Sequence, residues 1–305
     1  MDNYISRTRQ GKNSFIYTQT MSKIITDKVT LERITKLHIP PAWTKVKIST
    51  NPTDYLQVTG EDSKGRVQYL YHPAWVELSR IEKYSRMKNF ISKIPLLIKN
   101  VNQILKGPLR LQEPEYIIAI LIKILLKTHT RIGNDCYSEE TRGLTTLLKK
   151  HMILSSLIKE DVIIFSFIGK KNIKQHLEFK DHQMSQILRE LRKIPGDRLF
   201  KTSDLQIIRS QDVNDYIKKI MGEEFTAKDF RTWGSNIIFL EALNSLEKPV
   251  TITETKRNIN KCLDIVADKL GNTRAVCRTS YVMPEIIEKY LQNPEKKITL
   301  DTFIG

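Results

Sequence analysis

The sequence predicts an α+β chain with a small β-rich N-terminal domain and a larger, mostly α-helical domain that contains a small β-hairpin. Alternating apolar and polar residues, typical of strands, recur in the first 75 residues, and from about Trp75 the spacing becomes helical. Inside the helical part, residues 162–179 show a strand–turn–strand pattern. The chain has 305 residues, which is enough for two domains. We therefore predict domains at 1–75 and 76–305, joined by a short hinge near residues 72–80.

Three alternating segments define the N-terminal domain. They are residues 46–50, 55–60 and 67–72. In the third, Tyr69 and Tyr71 lie on one face and Gln68 on the other. The loop before it contains Lys64 and Arg66. This loop is either a solvated hairpin connection or, with the two tyrosines, a surface that binds phosphates.

The larger domain begins with helical spacing over residues 76–105, which Gly107 and Pro108 interrupt. The most apolar helix follows, from about Glu115 to Thr130, with Gly133 predicted as its end. Its apolar core is too short to span a bilayer and contains Lys123, so we interpret it as a buried helix. Arg131 is placed at its C-terminal end, where a cation also stabilises the helix dipole.

Two further segments carry cationic residues in recognisable local contexts. Residues 162–168 and 173–179 are predicted strands around the turn Gly169–Asn172, and Lys170 lies on that turn. A lysine there is a solvated edge charge or a mobile proton donor. Lys228 and Arg231 lie three residues apart at the start of another predicted helix, where they are a surface pair or part of a site.

The segment LGNTRAVCRTSY, residues 270–281, is where we expect the chemistry. An amphipathic run over residues 258–270 predicts a helix that Gly271 ends. Thr273 is the expected cap of a short helix that carries Tyr281 on its last turn, and Pro284 opens a third helix. Tyr281 is therefore expected at a helix junction, nine residues after Asn272.

The charge favours a polyanionic partner. The chain has 50 Lys+Arg and 34 Asp+Glu, a net charge of +16 and a pI near 9.6. Residues 1–75 carry +5 and residues 76–305 carry +11. A membrane-surface protein more often concentrates its charge in one basic segment. The spread favours two lobes that contact one long polyanion.

The cysteine and histidine patterns indicate neither a metal site nor disulfides. Cys136, Cys262 and Cys277 are odd in number and have no metal-ligand spacing, and the six histidines are scattered. We therefore predict no metal and a reducing compartment, and no secretory signal opens the chain.

Five segments together resemble one family. They are GEDSKGRVQYLY (60–71), RIGNDCY…GLTTLLKKH (131–151), FIGKK (167–171), KDFRTWG (228–234) and LGNTRAVCRTSY (270–281). In this order they resemble the type IB DNA topoisomerases of the small poxvirus, giant-virus and bacterial kind, almost throughout the chain. KDxRTxG together with LGNTxxVCRxSY is specific, whereas the hairpin lysine alone is a weak signal.

The resemblance implies a mechanism and six catalytic residues. Tyr281 would attack a DNA phosphodiester to form a 3′-phosphotyrosyl link, the broken strand would swivel, and the 5′-hydroxyl would reverse the attack without ATP or metal. Arg131 and Arg231 would hold the non-bridging oxygens. Lys170 would protonate the leaving oxygen, assisted by Lys228 and Arg131.

Asn272 would donate a hydrogen bond to a non-bridging oxygen. Poxvirus relatives have histidine at this position, whereas bacterial and giant-virus relatives have asparagine. Asparagine cannot become cationic, so no acid–base role is expected there.

The resemblance also implies the partner and the contacts. A monomer would close its two domains around double-stranded DNA without a cofactor, in a virion, a viral factory or a nucleus. The expected DNA contacts are Lys64, Arg66, Gln68, Tyr69, Tyr71 and Tyr137. Gln68 is the best candidate for reading a base, because an amide can pair with adenine in the major groove.

Two rival functions remain open from the sequence. A tyrosine site-specific recombinase shares the nucleophile and the arginine pair, but usually has HxxR where this chain has Lys228 and Arg231, and usually a helical N-terminal domain. A non-enzymatic, basic DNA-packaging protein would need the charge but not Tyr281.

Overall fold

The computed structural model describes residues 4–11, 14–19, 23–134, 141–157 and 160–300. The chain divides into two compact units, Met1–Lys83 and Tyr84–Gly305. Residues 73–80, which we expected near a hinge, form the first turns of a long helix. The α+β class, with a β-rich N-terminal part and a mostly helical remainder, is confirmed.

The first unit contains a six-stranded antiparallel sheet and one helix before the long helix begins. Its elements are β1 (Tyr4–Arg9), β2 (Phe15–Gln19), β3 (Lys23–Ile24), α1 (Lys28–Lys36), β4 (Thr44–Ser49), β5 (Leu56–Glu61) and β6 (Val67–Tyr71). The strand order is β3-β2-β1-β4-β5-β6. The three predicted strands are confirmed as β4, β5 and β6. The sequence did not indicate β1–β3 or α1, which are short; β1 and α1 also contain several charged residues.

A small apolar core holds this sheet together. Ile34 of α1 packs with buried residues from three strands: Ile5, Val46, Ile48 and Val58. Arg33 fixes the helix further by donating to Ser49 O at 2.5 Å and to Gln57 Oε1 at 3.0 Å. On the edge strand β6, Tyr69 and Tyr71 are exposed and Leu70 points to the core, as the alternation predicts.

The second unit packs helices around a three-stranded antiparallel sheet of order β7-β8-β9. Its elements, beginning with the helix shared with the first unit, are α2 (Pro73–Leu105), α3 (Pro114–Thr128), β7 (Met152–Leu157), β8 (Glu160–Ile168), β9 (Lys174–Lys180), α4 (His182–Lys193), α5 (Ser210–Met221), α6 (Ala227–Ser245), α7 (Ile252–Leu270), α8 (Arg274–Ser280) and α9 (Pro284–Gln292). α3 is buried from Tyr116 to Ile122 and contacts α5, α6 and β9, as a core helix does. No described helix is both long and apolar enough to cross a membrane.

The end of α3 differs from the prediction. The helix stops at His129, whose φ of 51° is left-handed, and not at Gly133. Arg131 therefore lies in the following loop, not in the last turn of the helix. Gly133 instead lies in that loop directly against Gly143, where a Cβ on Gly143 would overlap the Gly133 backbone. Leu144 N donates to Arg131 O at 2.9 Å, so the close glycine pair fixes the backbone at Arg131.

Candidate active site

The junction around Tyr281 has the predicted local structure. Gly271 ends α7 with a φ of 58°, and the Thr273 side chain accepts from Val276 N at 3.3 Å to cap α8. Tyr281 directly follows α8, one position beyond the last turn we expected, and its N–H donates to Cys277 O at 3.0 Å. Pro284 then opens α9. Local capping signals thus place the phenol at the end of a short, well-defined helix.

Asn236, which the sequence analysis missed, holds the backbone around Tyr281. It is fully buried on α6. Its Nδ2 donates to Tyr281 O at 3.2 Å, and its Oδ1 accepts from Met283 N at 2.8 Å. On the other side, the hydroxyl of Tyr84 on α2 donates to Val282 O at 3.0 Å. Three consecutive residues, beginning with Tyr281, are thereby fixed to the body of the unit.

We expect Asn236→Ala to slow covalent attachment of Tyr281 to DNA by about 10²-fold, because misplacing a reacting group by about 1 Å costs that much. Non-covalent DNA binding should be unchanged. Single-turnover cleavage and a binding titration measure the two effects. Asn244→Ala is the matched control, since Asn244 on the same helix also bonds a distant backbone, at Ile298. Equal cleavage by both variants would contradict this role.

Arg231 is the most enclosed cation of the site. The residue is only 5% exposed, which excludes the surface-pair interpretation. It donates to His129 O at 3.2 Å and also to Leu270 O, and its guanidinium carbon lies 5.6 Å from the centre of the Tyr281 ring. Its pKa is lowered by burial and by the charge of Arg131, while a hydrogen bond with the Tyr281 side chain raises it. Arginine stays protonated despite such shifts, so a buried positive charge adjoins the phenol.

Close packing against His129 explains why the motif around Arg231 contains a glycine, Gly234. A Cβ there would overlap the His129 ring, which packs edge-on against Trp233 at 5.5 Å between ring centres. The close approach brings the His129 carbonyl within reach of Arg231. Burial, with the charges of Lys269 and Arg231, lowers the pKa of His129 to about 4.

This pKa predicts acid sensitivity. The unfolded chain protonates His129 near pH 6.5, whereas the folded chain keeps the ring neutral to about pH 4. Stability is therefore full above about pH 6.5 and falls by about 3 kcal/mol as the pH drops to about 4. His129→Asn removes the titrating ring, and asparagine tolerates the left-handed backbone at this position. The variant should therefore flatten this part of the curve of stability against pH. Urea unfolding across this range measures both proteins, and parallel curves would contradict the assignment.

Arg131 and Asn272 meet at the same place. Arg131 donates to Asn272 Oδ1 at 3.4 Å, and the Asn272 backbone N–H donates to Ala267 O at 2.9 Å. In the described ranges of the chain, the buried Nδ2 of Asn272 and Nε of Arg231 have no hydrogen-bond partner. Within the part of the chain that the structure describes, no carboxylate pairs with either arginine. The cluster therefore presents positive charge and unpaired N–H donors beside Tyr281, which suits an anion.

Lys170 lies on an exposed turn whose base packs against this cluster. A Cβ on Gly271 would lie 2.8 Å from Gln175 Nε2 and 3.4 Å from Ile173 Cγ2. The residues that follow the β8–β9 turn therefore pack against Gly271, which directly precedes Asn272. Lys228, in the first turn of α6, is also exposed. Neither lysine side chain has a partner among the described residues. The structure thus groups four predicted catalytic residues and leaves the two lysines at the surface.

Residues 74–301 match the family described as eukaryotic DNA topoisomerase I, catalytic core, and residues 14–62 match bacterial DNA topoisomerase IB, N-terminal domain. The chain belongs to the type IB DNA topoisomerases. This confirms the resemblance seen in the sequence.

Viral members of the family are similar over almost the whole chain. DNA topoisomerase 1B of Acanthamoeba polyphaga mimivirus is 33% identical over 304 residues, which cover 95% of this chain and 88% of the relative. DNA topoisomerase I of monkeypox virus is 26% identical over 284 residues, covering 85% and 86%. A solved structure of XerH site-specific recombinase bound to difH substrate matches with a TM-score of 0.40 and 16% identity, over 66% of this chain and 52% of that one.

A second residue missed in the sequence positions the start of α6 in this topoisomerase. Asp229 is buried, accepts from Thr226 N at 2.9 Å as a helix cap, and pairs with Arg86 of α2 at 3.0 Å. Asp229 lies between Lys228 and Arg231 in the sequence, so its carboxylate fixes the start of α6, from which both side chains extend. The S/T-x-x-D spacing of Thr226 and Asp229 was the available signal.

Five of the six residues predicted to contact DNA lie on or beside the edge strand β6, and Tyr137 lies outside the described residues. Lys64 and Arg66 are exposed in the β5–β6 loop. Tyr69 and Tyr71 are stacked, with ring centres 6.2 Å apart. Gln68 is half-buried on the opposite face of the strand. These positions suit contact with a large partner, and the DNA role remains a prediction.

Proposed function

We propose that this protein is a DNA topoisomerase that relaxes supercoiled DNA through a 3′-phosphotyrosyl intermediate on Tyr281. The observation that carries the proposal is the phenol hydrogen-bonded to a buried arginine, Arg231, beside Arg131 and Asn272, whose Nδ2 has no hydrogen-bond partner among the described residues. A phosphodiester is the anion that this family cleaves, and its negative charge would complete the cluster. Membership of the family supports the same function.

The geometry suits in-line attack on phosphorus. The pentacoordinate transition state carries extra charge on its non-bridging oxygens, which guanidinium groups bind through paired N–H donors. Arg231 is oriented by backbone carbonyls and keeps its full charge for the phosphate. Asn272 Nδ2 is a neutral donor to the same oxygens. The hydrogen bond to Arg231 stabilises a developing phenolate on Tyr281.

Proton delivery to the leaving 5′-oxygen is assigned to Lys170. Its side chain is exposed and, within the described part of the chain, has no partner; it lies on a tight turn where Lys171 and Asn172 adopt left-handed backbone angles with φ of 64° and 58°. A long side chain on such a turn can reach a ligand bound to the neighbouring cluster. Lys228 and Arg131 are proposed to assist.

The direct test uses a negatively supercoiled plasmid without a recombination site, incubated with the protein in EDTA and without ATP. We expect a ladder of relaxed topoisomers that progresses to full relaxation. A recombinase would require paired recognition sites, and a packaging protein would bind without changing the linking number. Failure to relax this plasmid would overturn the proposal.

We also propose that the active form is a monomer and that both units contact one duplex. The basic charge of both halves supports this arrangement. We propose that the protein acts in a virion, a viral factory or a host nucleus, and the similarity to viral topoisomerases supports this.

Salt dependence tests the contact by the first unit. In a full-length Tyr281→Phe background, replacing Lys64 and Arg66 with glutamine should make the slope of log K against log salt shallower by about 0.9 per lost phosphate contact. Glutamine at Lys28 and Lys36, two exposed lysines on α1, is the control with equal charge change. Titrations of one duplex over a salt series give the slopes. The same slope for both double variants would contradict contact through the β5–β6 loop.

A further inference from the structure

One carboxylate organises the whole β5–β6 loop. Asp62 Oδ1 accepts from the backbone N–H of Lys64 at 2.9 Å and of Arg66 at 3.1 Å. Its Oδ2 accepts from Arg66 Nε at 2.9 Å and NH2 at 2.6 Å, and from Gln68 Nε2 at 3.0 Å. The side chain is only 15% exposed. Asp62 therefore touches three of the residues predicted to contact DNA.

Asp62 is ionised near neutral pH, because the hydrogen bonds from the Arg66 guanidinium and from the backbone donors lower its pKa to about 2. An ionised carboxylate only accepts hydrogen bonds. The amide of Gln68 must therefore turn its NH2 group, and not its oxygen, toward Asp62. A half-turn of the amide would place two acceptors against each other.

We propose that Asp62 is a positioning residue that determines base specificity by fixing the orientation of the Gln68 amide. Adenine in the major groove requires one donor and one acceptor in a set order, toward N7 and N6 respectively. An amide held in one orientation presents its NH2 group and its oxygen to the base in one order only. An amide that rotates freely can present them in either order. This inference rests on the proposed contact of Gln68 with DNA.

The local contacts favour this role over simple loop stabilisation. The loop already has backbone bonds of its own, from Asp62 N to Arg66 O and from Gly65 N to Asp62 O, both 2.9 Å. Gly65 adopts a φ of 71°. The bond to Gln68 is not needed to close the turn, because Gln68 already pairs with Gly60 in the sheet.

The test uses the full-length enzyme and a library of duplexes randomised around the cleavage site. Covalently captured DNA is sequenced to obtain the base preference at each position. Asp62→Asn keeps the shape of the side chain but lets either the NH2 group or the oxygen of the Gln68 amide face residue 62. Glu61→Gln is the control, since this neighbouring carboxylate pairs with Lys45 at 3.0 Å. A base preference is a ratio within one sample, so a lower yield of folded variant does not alter it.

We expect Asp62→Asn to flatten the preference at one base pair by at least about fivefold, the lower end of what a bidentate side-chain–base contact contributes. The other positions and Glu61→Gln should keep the parent pattern. Gln68→Ala should flatten the same base pair, and adding Asp62→Asn to it should change nothing more. Non-covalent affinity should not fall in Asp62→Asn, because a negative charge beside the DNA is removed.

Each other outcome has a distinct meaning. If the parent forms no covalent adducts, the proposed function fails and this inference fails with it. If adducts form but Gln68→Ala changes no base preference, the function stands and this inference is wrong. An Asp62→Asn pattern equal to the parent pattern, or a uniform loss of adducts with an unchanged pattern, shows that Asp62 only supports the loop.

Discussion

Replacing Tyr281 with phenylalanine should abolish both covalent attachment to DNA and plasmid relaxation, while non-covalent binding stays the same. The phenyl ring retains the packing of Tyr281 against the core and beside Arg231. Only the attacking oxygen and its hydrogen bond are lost. A suicide duplex, whose cleaved strand cannot be rejoined, traps the adduct, and peptide mapping should place it on Tyr281 at a DNA 3′ end.

Tyr290→Phe provides the matched control. Tyr290 lies on α9, nine residues downstream, and its buried hydroxyl accepts from Asn258 Nδ2 at 3.2 Å. Removing that oxygen should lower stability slightly, by about 1 kcal/mol, the usual contribution of one hydrogen bond. It should leave adduct formation intact. An adduct on another tyrosine, or at a 5′ end, would contradict the assignment of Tyr281.

The elements around Tyr281 could be predicted because their signals are local. Gly271 adopts the left-handed conformation that its lack of a Cβ allows, Thr273 caps its own helix, and Pro284 needs no N–H at a helix start. The β8–β9 hairpin was predicted for the same reason. Each depends on residues within a few positions along the chain.

The contacts that position the side chains could not be predicted in this way. Asn236 reaches Tyr281 across 45 residues, and Arg231 reaches His129 across 102. The sequence shows an asparagine and an arginine on a helix but not which backbone atoms face them. The same limit explains the predicted end of α3. A histidine in a left-handed conformation is uncommon, and tertiary packing against Gly234 selects it over the glycine four residues later.

The choice of carbonyl partners for Arg231 has a chemical consequence. A carboxylate would orient the guanidinium equally well but would neutralise it before DNA binds. The carbonyls of His129 and Leu270 orient it and leave its net charge in place. Burying that charge is costly, and a bound phosphate would offset the cost. This arrangement supports the proposal that the site is pre-organised for a phosphate at the expense of stability without one.

Lys170→Ala should slow cleavage of ordinary DNA by about 10²–10⁴-fold, the usual size of general acid catalysis. The leaving 5′-oxygen is a poor leaving group unless it is protonated as the bond to phosphorus breaks. A duplex with sulfur in place of that oxygen needs little protonation. The variant should cleave the sulfur duplex nearly as fast as the parent does, and single-turnover rates on both duplexes measure this recovery.

Lys171→Asn is the control, because it removes the same charge from the same turn and asparagine tolerates the φ of 64° at that position. It should cleave both duplexes at close to the parent rate. If Lys170→Ala shows the same defect on the sulfur duplex as on ordinary DNA, Lys170 binds the substrate and does not protonate the leaving group. The acid would then have to be sought at Lys228, the other exposed lysine of the predicted set.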